Sequence, residues 1–183
     1  HIGYVYPAGG QQGTTFQVTV GGQFVKDADL ARVSGQGIQV AVLGEIKRPP
    51  MEEGGPLRDK LRALMSAPRD DAKEQEVAEI QKRLYQTYVM EAHRATPAIS
   101  ECVLLQVTLA EDAESGPREL RLDTPRGISN RLAFYVGTLP EFREPEPVLP
   151  PEPKDARAAT GAGPIRQILD ISLPAVVNGQ IIA

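Results

Sequence analysis

The sequence has few of the residues that usually build reactive or metal-binding sites. Its 183 residues include no tryptophan, one cysteine and two histidines. The lone cysteine, Cys102, cannot close a disulfide within the chain, so the cysteine count leaves the redox compartment open. A histidine-based triad or metal centre would have to use His1 at the terminus or His93 at a helix end. We therefore expect no catalytic residue, no metal and no cofactor.

Long apolar runs and an excess of positive charge are also lacking. A membrane-spanning helix needs about 20 consecutive apolar residues. Lys and Arg together number 20 against 24 for Asp and Glu, which gives a net charge of -4 and disfavours the basic surface that nucleic acid requires. The chain begins at His1 without a methionine, and we expect that an upstream segment was removed, either by processing, as in an exported protein, or by the choice of fragment. The sequence predicts neither a membrane span nor a nucleic-acid partner.

The residues that are abundant indicate a folded domain with many turns. Hydrophobic residues make up 41% of the chain, and it contains 17 glycines and 16 prolines. This length and composition are typical of one well-buried core with additions. Many glycines and prolines favour strands joined by turns over a helix bundle.

The N-terminal stretch YPAGGQQGTTFQVTVGG, from Tyr6 to Gly22, combines a glycine-rich loop with a strand. Apolar and polar residues alternate from Thr14 to Val20, which predicts a strand with one solvent-exposed face. No Lys-Ser/Thr pair follows Gly13, and a strand stands where a phosphate loop needs a helix. We therefore expect Gly9, Gly10 and Gly13 to provide positive φ angles and close strand approach.

Two further strands are predicted before the middle of the chain. Ala28 to Val33 and Ile38 to Leu43 are β-prone, and the intervening SGQG (Ser34 to Gly37) has the composition of a tight turn. This pattern predicts that the two strands form a hairpin.

The middle of the chain has helical periodicity. Leu57 to Ser66 and Asp71 to His93 are predicted to form a helical hairpin, inserted at about 52–94 and stopped by Pro97. The stripe on the second helix is formed by Val77, Ile80, Leu84 and Tyr88. Tyr85 and Val89 lie beside this stripe and widen it. The wide face either packs on the neighbouring elements or binds a partner, and Tyr85, Tyr88 and Val89 are the candidate partner-binding residues.

Strand periodicity returns after the helices. Ile99 to Leu109 is predicted to be a central strand, because Cys102 and Leu104 make its second face partly apolar, and Cys102 there is expected to be a buried structural thiol. Glu119–Asp123 and Arg131–Val136 alternate in the same way and are predicted to form a hairpin across TPRGISN.

The C-terminal part changes character again. The segment 140–164 is rich in proline and charge and is predicted to be an extended linker. Residues 165–183 are apolar and β-prone, but they are too few to bury their own hydrophobic face. The predicted domains are therefore residues 1–139, the linker, and the beginning of a second domain.

The turn and strand motifs resemble the IPT/TIG type of immunoglobulin-like domain. The resemblance rests on YPAGG, GTTFQVTVGGQF and SGPRELRLDTPRGISNRLAFYVG, and it covers residues 4–44 and 99–139. The residues that match its first turn and strand are Pro7, Gly10, Gly13, Val18, Val20, Gly22 and Phe24. Those that match its closing hairpin are Gly116, Leu120, Leu122, Gly127, Ser129, Asn130, Phe134 and Val136.

A similar domain occurs in large exported proteins of Planctomycetes and Acidobacteria. There it precedes a bacterial pre-peptidase C-terminal (PPC) domain, and LPAVVNGQIIA is similar to the first strand of that second domain. The resemblance implies a mainly β fold, an antiparallel immunoglobulin-like β-sandwich, into which the two-helix hairpin is inserted.

The same resemblance implies an exported protein, located in the periplasm, at the cell surface or outside the cell. We expect a non-catalytic structural or interaction module that spaces or presents neighbouring domains of the same polypeptide and docks a protein or glycan. The alternative is an accessory domain of a secreted hydrolase.

The acidic clusters DAD (Asp27 to Asp29) and EDAE (Glu111 to Glu114) lack the spacing of a calcium loop and are expected to be solvated turns.

Overall fold

The computed structural model describes residues 1–47, 51–66, 71–94, 96–144 and 168–179, without the side chains of residues 51, 52, 71 and 86–94. These residues form β-strands, two long helices and a short 3-10 helix at Pro97–Ile99. The helices are α1 (Met51–Ser66) and α2 (Asp71–Arg94). The strands are β1 (Ile2–Tyr6), β2 (Gly9–Gln11), β3 (Thr15–Gly22), β4 (Leu30–Val33), β5 (Ile38–Glu45), β6 (Glu101–Leu109), β7 (Gly116–Thr124), β8 (Gly127–Ile128), β9 (Leu132–Gly137), β10 (Glu141–Arg143) and β11 (Val176–Asn178).

The described chain divides into two compact units. Of the described residues, we call 1–47, 93–94, 96–144 and 170–179 the β unit, and 51–66, 71–92 and 168–169 the α unit. The protein is therefore mainly β with two helices, as the sequence predicts.

One sheet of the β unit has four antiparallel strands in the order β1-β3-β6-β5. β6 lies between two neighbours, so the prediction of a central strand is confirmed. Its inward side chains, Val103, Leu105 and Val107, are fully buried. The strand begins at Glu101 because the short 3-10 helix occupies the residues before it.

The second sheet has the order β2-β9-β7-β4, with β8 paired beside β7. The predicted hairpin of β7 and β9 is confirmed by their antiparallel pairing, in which Leu120 lies opposite Leu132. Leu122 and Phe134 point inward and are fully buried. β2 joins this sheet by parallel pairing with β9, so the N-terminal segment contributes one strand to each sheet.

The predicted hairpin of Ala28 to Val33 with Ile38 to Leu43, which correspond to β4 and β5, is wrong. β4 pairs with β7 and β5 pairs with β6, so the two strands belong to different sheets. The turn between them is anchored to β7, because Ser34 N donates to Glu119 O. Gly35 and Gly37 have φ of +102° and +75°. Turn composition predicts a reversal of the chain but does not determine which strand each arm pairs with.

The two sheets share one hydrophobic core. It takes Val18, Val103 and Leu105 from the first sheet, and Leu120 and Leu122 from the second. Phe16 and Phe134 stack across the core with ring centroids 6.3 Å apart and an interplanar angle of 4°. The two halves of the sequence that flank the helices therefore close into a single core, as predicted.

The helical hairpin has a core of its own. Leu61 of α1 is buried with Ile80 and Leu84 of α2. Two ion pairs join the helices in antiparallel order, Glu53 Oε2 to Arg83 Nη2 at 2.6 Å and Lys60 Nζ to Glu76 Oε1 at 2.5 Å. The predicted hairpin is confirmed.

Helix α1 begins at Met51, six residues before the predicted start at Leu57. Gly54, Gly55 and Pro56 indicate a break in the sequence, but they lie within the first two turns of the helix. Proline has a helical φ and costs least near a helix start.

Candidate functional site

The C-terminal part of the described chain returns to the β unit at a parallel pair of short strands. β10 and β11 pair in register, with Phe142 opposite Val177. Backbone hydrogen bonds extend the pair at both ends: Val176 N donates to Pro140 O at 2.9 Å, and Glu144 N donates to Asn178 O at 2.8 Å. We call Tyr6, Glu141, Arg143 and Asn178, together with these two strands, the clasp.

The clasp modifies the predicted boundaries of the linker. Glu141–Arg143 is a strand, although the linker was predicted to begin at residue 140. These three residues contain no proline, so their backbone can donate and accept ladder hydrogen bonds. The rest of the predicted linker, 145–164, lies outside the described residues. The segment from Asp170 belongs to the β unit, and its origin in a second domain stays a prediction.

Side chains connect the clasp to the N-terminal strand. The hydroxyl of Tyr6, the last residue of β1, donates to Asn178 O at 3.0 Å. Asn178 Nδ2 donates to Glu141 Oε2 at 2.9 Å. A residue close to the N-terminus and a residue 172 positions later thus share one hydrogen-bonded cluster.

Arg143 connects the clasp to β3. Its guanidinium donates to Gln17 O and lies 5.8 Å from the centroid of the Phe16 ring. Burial lowers the pKa of Arg143, while the nearby Tyr6 and Glu141 act in the opposite direction. An arginine keeps its charge at every physiological pH, so Arg143 acts as a fixed cation over an aromatic ring of the core.

The chemistry of the clasp is suited to holding a chain in place. Its bonds are backbone ladder bonds and amide, hydroxyl and carboxylate hydrogen bonds. Two apolar side chains of the returning segment, Leu173 and Val177, are 80% and 52% exposed. The backbone of the segment is therefore fixed, while part of its apolar surface faces outward.

The predicted partner-binding face on α2 is described only at Tyr85. That side chain is buried, with 3% exposure, and so it does not lie on an open surface. The side chains of Tyr88 and Val89 lie outside the described residues. The helix face as a docking surface stays a prediction.

Cys102 is buried, as predicted, on the side of β6 opposite the core. Its Sγ lies 3.4 Å from the hydroxyl of Tyr4, whose ring covers Gly21. Burial raises the pKa of the Cys102 thiol, and burial together with Cys102 raises the pKa of Tyr4. The thiolate is the reactive form of cysteine, and this site disfavours it.

The acidic clusters form no metal-binding group. Within the described ranges, no three His, Cys, Asp or Glu residues come together as metal ligands. No described helix is long and apolar enough to cross a membrane.

Sequence reasoning missed the clasp, since its residues are ordinary polar types and are not related by any recognisable sequence spacing. No known family model matches the sequence, and no curated protein matches it either.

Proposed function

We propose that this chain is a non-catalytic structural module of an exported multidomain protein, and that it holds neighbouring domains at a fixed spacing. Its β unit is proposed to be an immunoglobulin-like sandwich of the IPT/TIG type. The constant-type immunoglobulin arrangement has strands A, B, E and D in one sheet and C, F and G in the other. Taking β1, β3, β6 and β5 as the first set, and β4, β7 and β9 as the second, agrees with both observed orders.

The clasp is the observation that carries the structural role. A flexible linker would let any following domain move freely over tens of ångströms. Here the chain is instead returned to the β unit and bonded through Tyr6, Glu141 and Asn178 before it leaves. The position and direction of the chain at Asn178 are therefore set by the β unit, which is what a spacer or presenting module requires.

A fusion experiment tests this role. A small rigid reporter domain is attached after Ala183 of the full chain, and its rotational correlation time is measured by fluorescence anisotropy decay. We expect the reporter to tumble with the β unit, and to move more freely in the double variant Tyr6→Phe and Asn178→Ala. Tyr135→Phe is the matched control, because Tyr135 is an exposed tyrosine outside the clasp.

A reporter that already tumbles independently on the native chain would contradict the spacer role.

Amide exchange gives a second measurement, of the contact between Tyr6 and Asn178. Loss of one hydrogen bond costs about 1 kcal/mol, or roughly fivefold in local opening. Exchange at Glu144 N should rise by that factor in Tyr6→Phe and stay unchanged in Tyr135→Phe.

The non-catalytic part of the proposal has its own test. The isolated chain is assayed with peptide and glycoside substrates that release a chromophore. We expect no turnover above the rate of uncatalysed hydrolysis. Clear activity would contradict the structural role and favour that of a hydrolase component.

A further inference from the structure

One phenylalanine of the β unit has a strained backbone conformation. Phe24, in the loop between β3 and β4, has φ of +60°, and no other non-glycine residue of the described ranges has a positive φ. Bulky side chains rarely adopt this left-handed conformation, and it persists only where the surroundings impose it.

The surroundings of Phe24 do impose it. Glu101 Oε2 accepts hydrogen bonds from the two following backbone amides, Val25 N at 2.7 Å and Lys26 N at 3.0 Å. The preceding amide, Gln23 N, donates to His1 O at 2.7 Å. The loop is thus fixed on both sides of Phe24, whose side chain is left 47% exposed.

Arg126 lies over the exposed ring. Its guanidinium carbon is 4.2 Å from the ring centroid, which is within the range of a cation–π interaction. Arg32, Arg121 and Arg131 each contact a carboxylate, but Arg126 forms no ion pair with any described residue. Lys26, Asp27 and Asp29 share the loop with Phe24 and form no ion pair with Arg126.

Two exposed aliphatic side chains follow Phe24 and Arg126 in the chain, one at the start of β4 and one at the end of β8. Leu30 of β4 and Ile128 of β8 both lie opposite Asp123 of β7, one on each side, and they are 42% and 66% exposed. Asp29 N donates to Asp123 O, so the Phe24 loop closes on the same residue. We call Phe24, Leu30, Arg126 and Ile128 the aromatic corner.

We propose that the aromatic corner binds a peptide segment of a protein partner in which a carboxylate is flanked by aliphatic side chains. The carboxylate pairs with the unpaired guanidinium of Arg126, which the Phe24 ring holds in orientation. The aliphatic side chains pack against Phe24, Leu30 and Ile128. Rigid aromatic and arginine anchors are the residues that contribute most to protein interfaces, and a preformed surface lowers the entropy cost of binding.

This inference goes beyond the structural role and does not depend on it. The clasp and the aromatic corner share no residue, so a failed spacer experiment would leave this proposal unaffected. A failed peptide titration would likewise leave the spacer proposal unaffected.

The test is an NMR titration of the full chain with the peptide Ac-Leu-Glu-Leu-Glu-Leu-NH2 and its matched Gln-for-Glu peptide. We expect the acidic peptide to shift the amide signals of Phe24, Arg126 and Ile128, and to bind about fivefold more tightly than the neutral peptide. Arg126→Gln should abolish that difference between the two peptides. Phe24→Gly should lose binding while keeping the fold, because glycine accepts this φ without strain.

Tyr135→Ala is the matched control. It removes an exposed aromatic ring from the same sheet, but Tyr135 lies opposite Pro117, six residues along β7 from Asp123. Binding to this variant should equal that of the native chain. Equal affinity for both peptides, full binding by Phe24→Gly, or shifts confined to other parts of the chain would each overturn the proposal.

Discussion

At the scale of single residues, glycine at positions 9 and 10 provides space for close packing. A Cβ on Gly9 would lie 2.3 Å from the backbone oxygen of Tyr135, and one on Gly10 would lie 2.1 Å from the ring of Phe16. Gly13 differs, since it is required by its φ of +73°. The sequence predicts both uses of glycine, although it does not tell which glycine has which role.

Gly9→Ala should therefore destabilise the β unit. The added methyl group meets a backbone atom that cannot rotate away, and overpacking of this kind costs about 1–3 kcal/mol. Gly55→Ala in α1 is the control, because nothing lies within 4 Å of its Cβ and alanine favours a helix by up to about 1 kcal/mol. Urea unfolding should show a lower midpoint for Gly9→Ala alone. Equal midpoints would mean that β2 moves away at little cost.

Cys102 and Tyr4 should make stability depend on alkaline pH. Burial raises the pKa of both groups in the folded chain, whereas in the unfolded chain a thiol ionises near about pH 8.5 and a tyrosine near about 10. Above those pH values the unfolded chain binds fewer protons, so the contribution of these two groups to the free energy of unfolding is constant below about pH 8 and falls above it.

The measurement is urea unfolding at pH 7, 9 and 10 for the native chain and for Cys102→Ala. We expect the native chain to lose more stability between pH 7 and pH 9 than the variant, because the variant has no thiol to ionise. Parallel pH dependence in the two proteins would show that the thiol environment contributes nothing.

At the scale of elements, periodicity located β3, β4, β5, β6, β7 and β9 but missed the short strands β1, β2, β8 and β10, and it did not determine which strands pair. Alternation over Thr14 to Val20 and Arg131 to Val136 corresponds to β3 and β9 within two residues, because burial of one face imposes it. No local sequence pattern indicates that β4 pairs with β7. It depends on contacts between residues about 90 positions apart, such as Arg32 with Asp123 at 2.6 Å.

The site was less predictable than the fold. Tyr6 and Asn178 are common polar residues, and their contact depends on where both sheets bring the chain ends. Phe24 was matched only as part of a turn motif, since a positive φ at a phenylalanine contradicts its intrinsic preference. Local propensity cannot predict a conformation that distant hydrogen bonds impose.

Deleting Glu52 to Arg94 and inserting a short glycine linker should leave the β unit folded. Its core is built from strand residues and the loops between them. Glu45 of β5 lies opposite Val103 of β6, so the ends of the insertion leave from adjacent strands and a short connection can join them. Circular dichroism and cooperative melting check this expectation. A deletion variant that aggregates or melts without cooperativity would assign the helices to the core.

At the scale of the whole molecule, two separate cores predict two separately responding units. The α core of Leu61, Ile80 and Leu84 has no residue in common with the β core. Regions with separate hydrophobic cores can unfold in separate steps, and amide exchange distinguishes these steps. A substitution in one core should therefore be felt mainly in its own unit.

Leu61→Ala and Phe134→Ala test this division as a pair. Truncating a buried leucine costs about 2–5 kcal/mol and a buried phenylalanine about 3–5 kcal/mol. Hydrogen–deuterium exchange read by mass spectrometry should show lost protection in α1 and α2 for Leu61→Ala, and in β3, β6, β7 and β9 for Phe134→Ala. Leu43→Ala, at an exposed position of β5, should change neither. Equal loss of protection in both units from either substitution would mean that the helices and the sheets unfold as one cooperative body, because each core then requires the other.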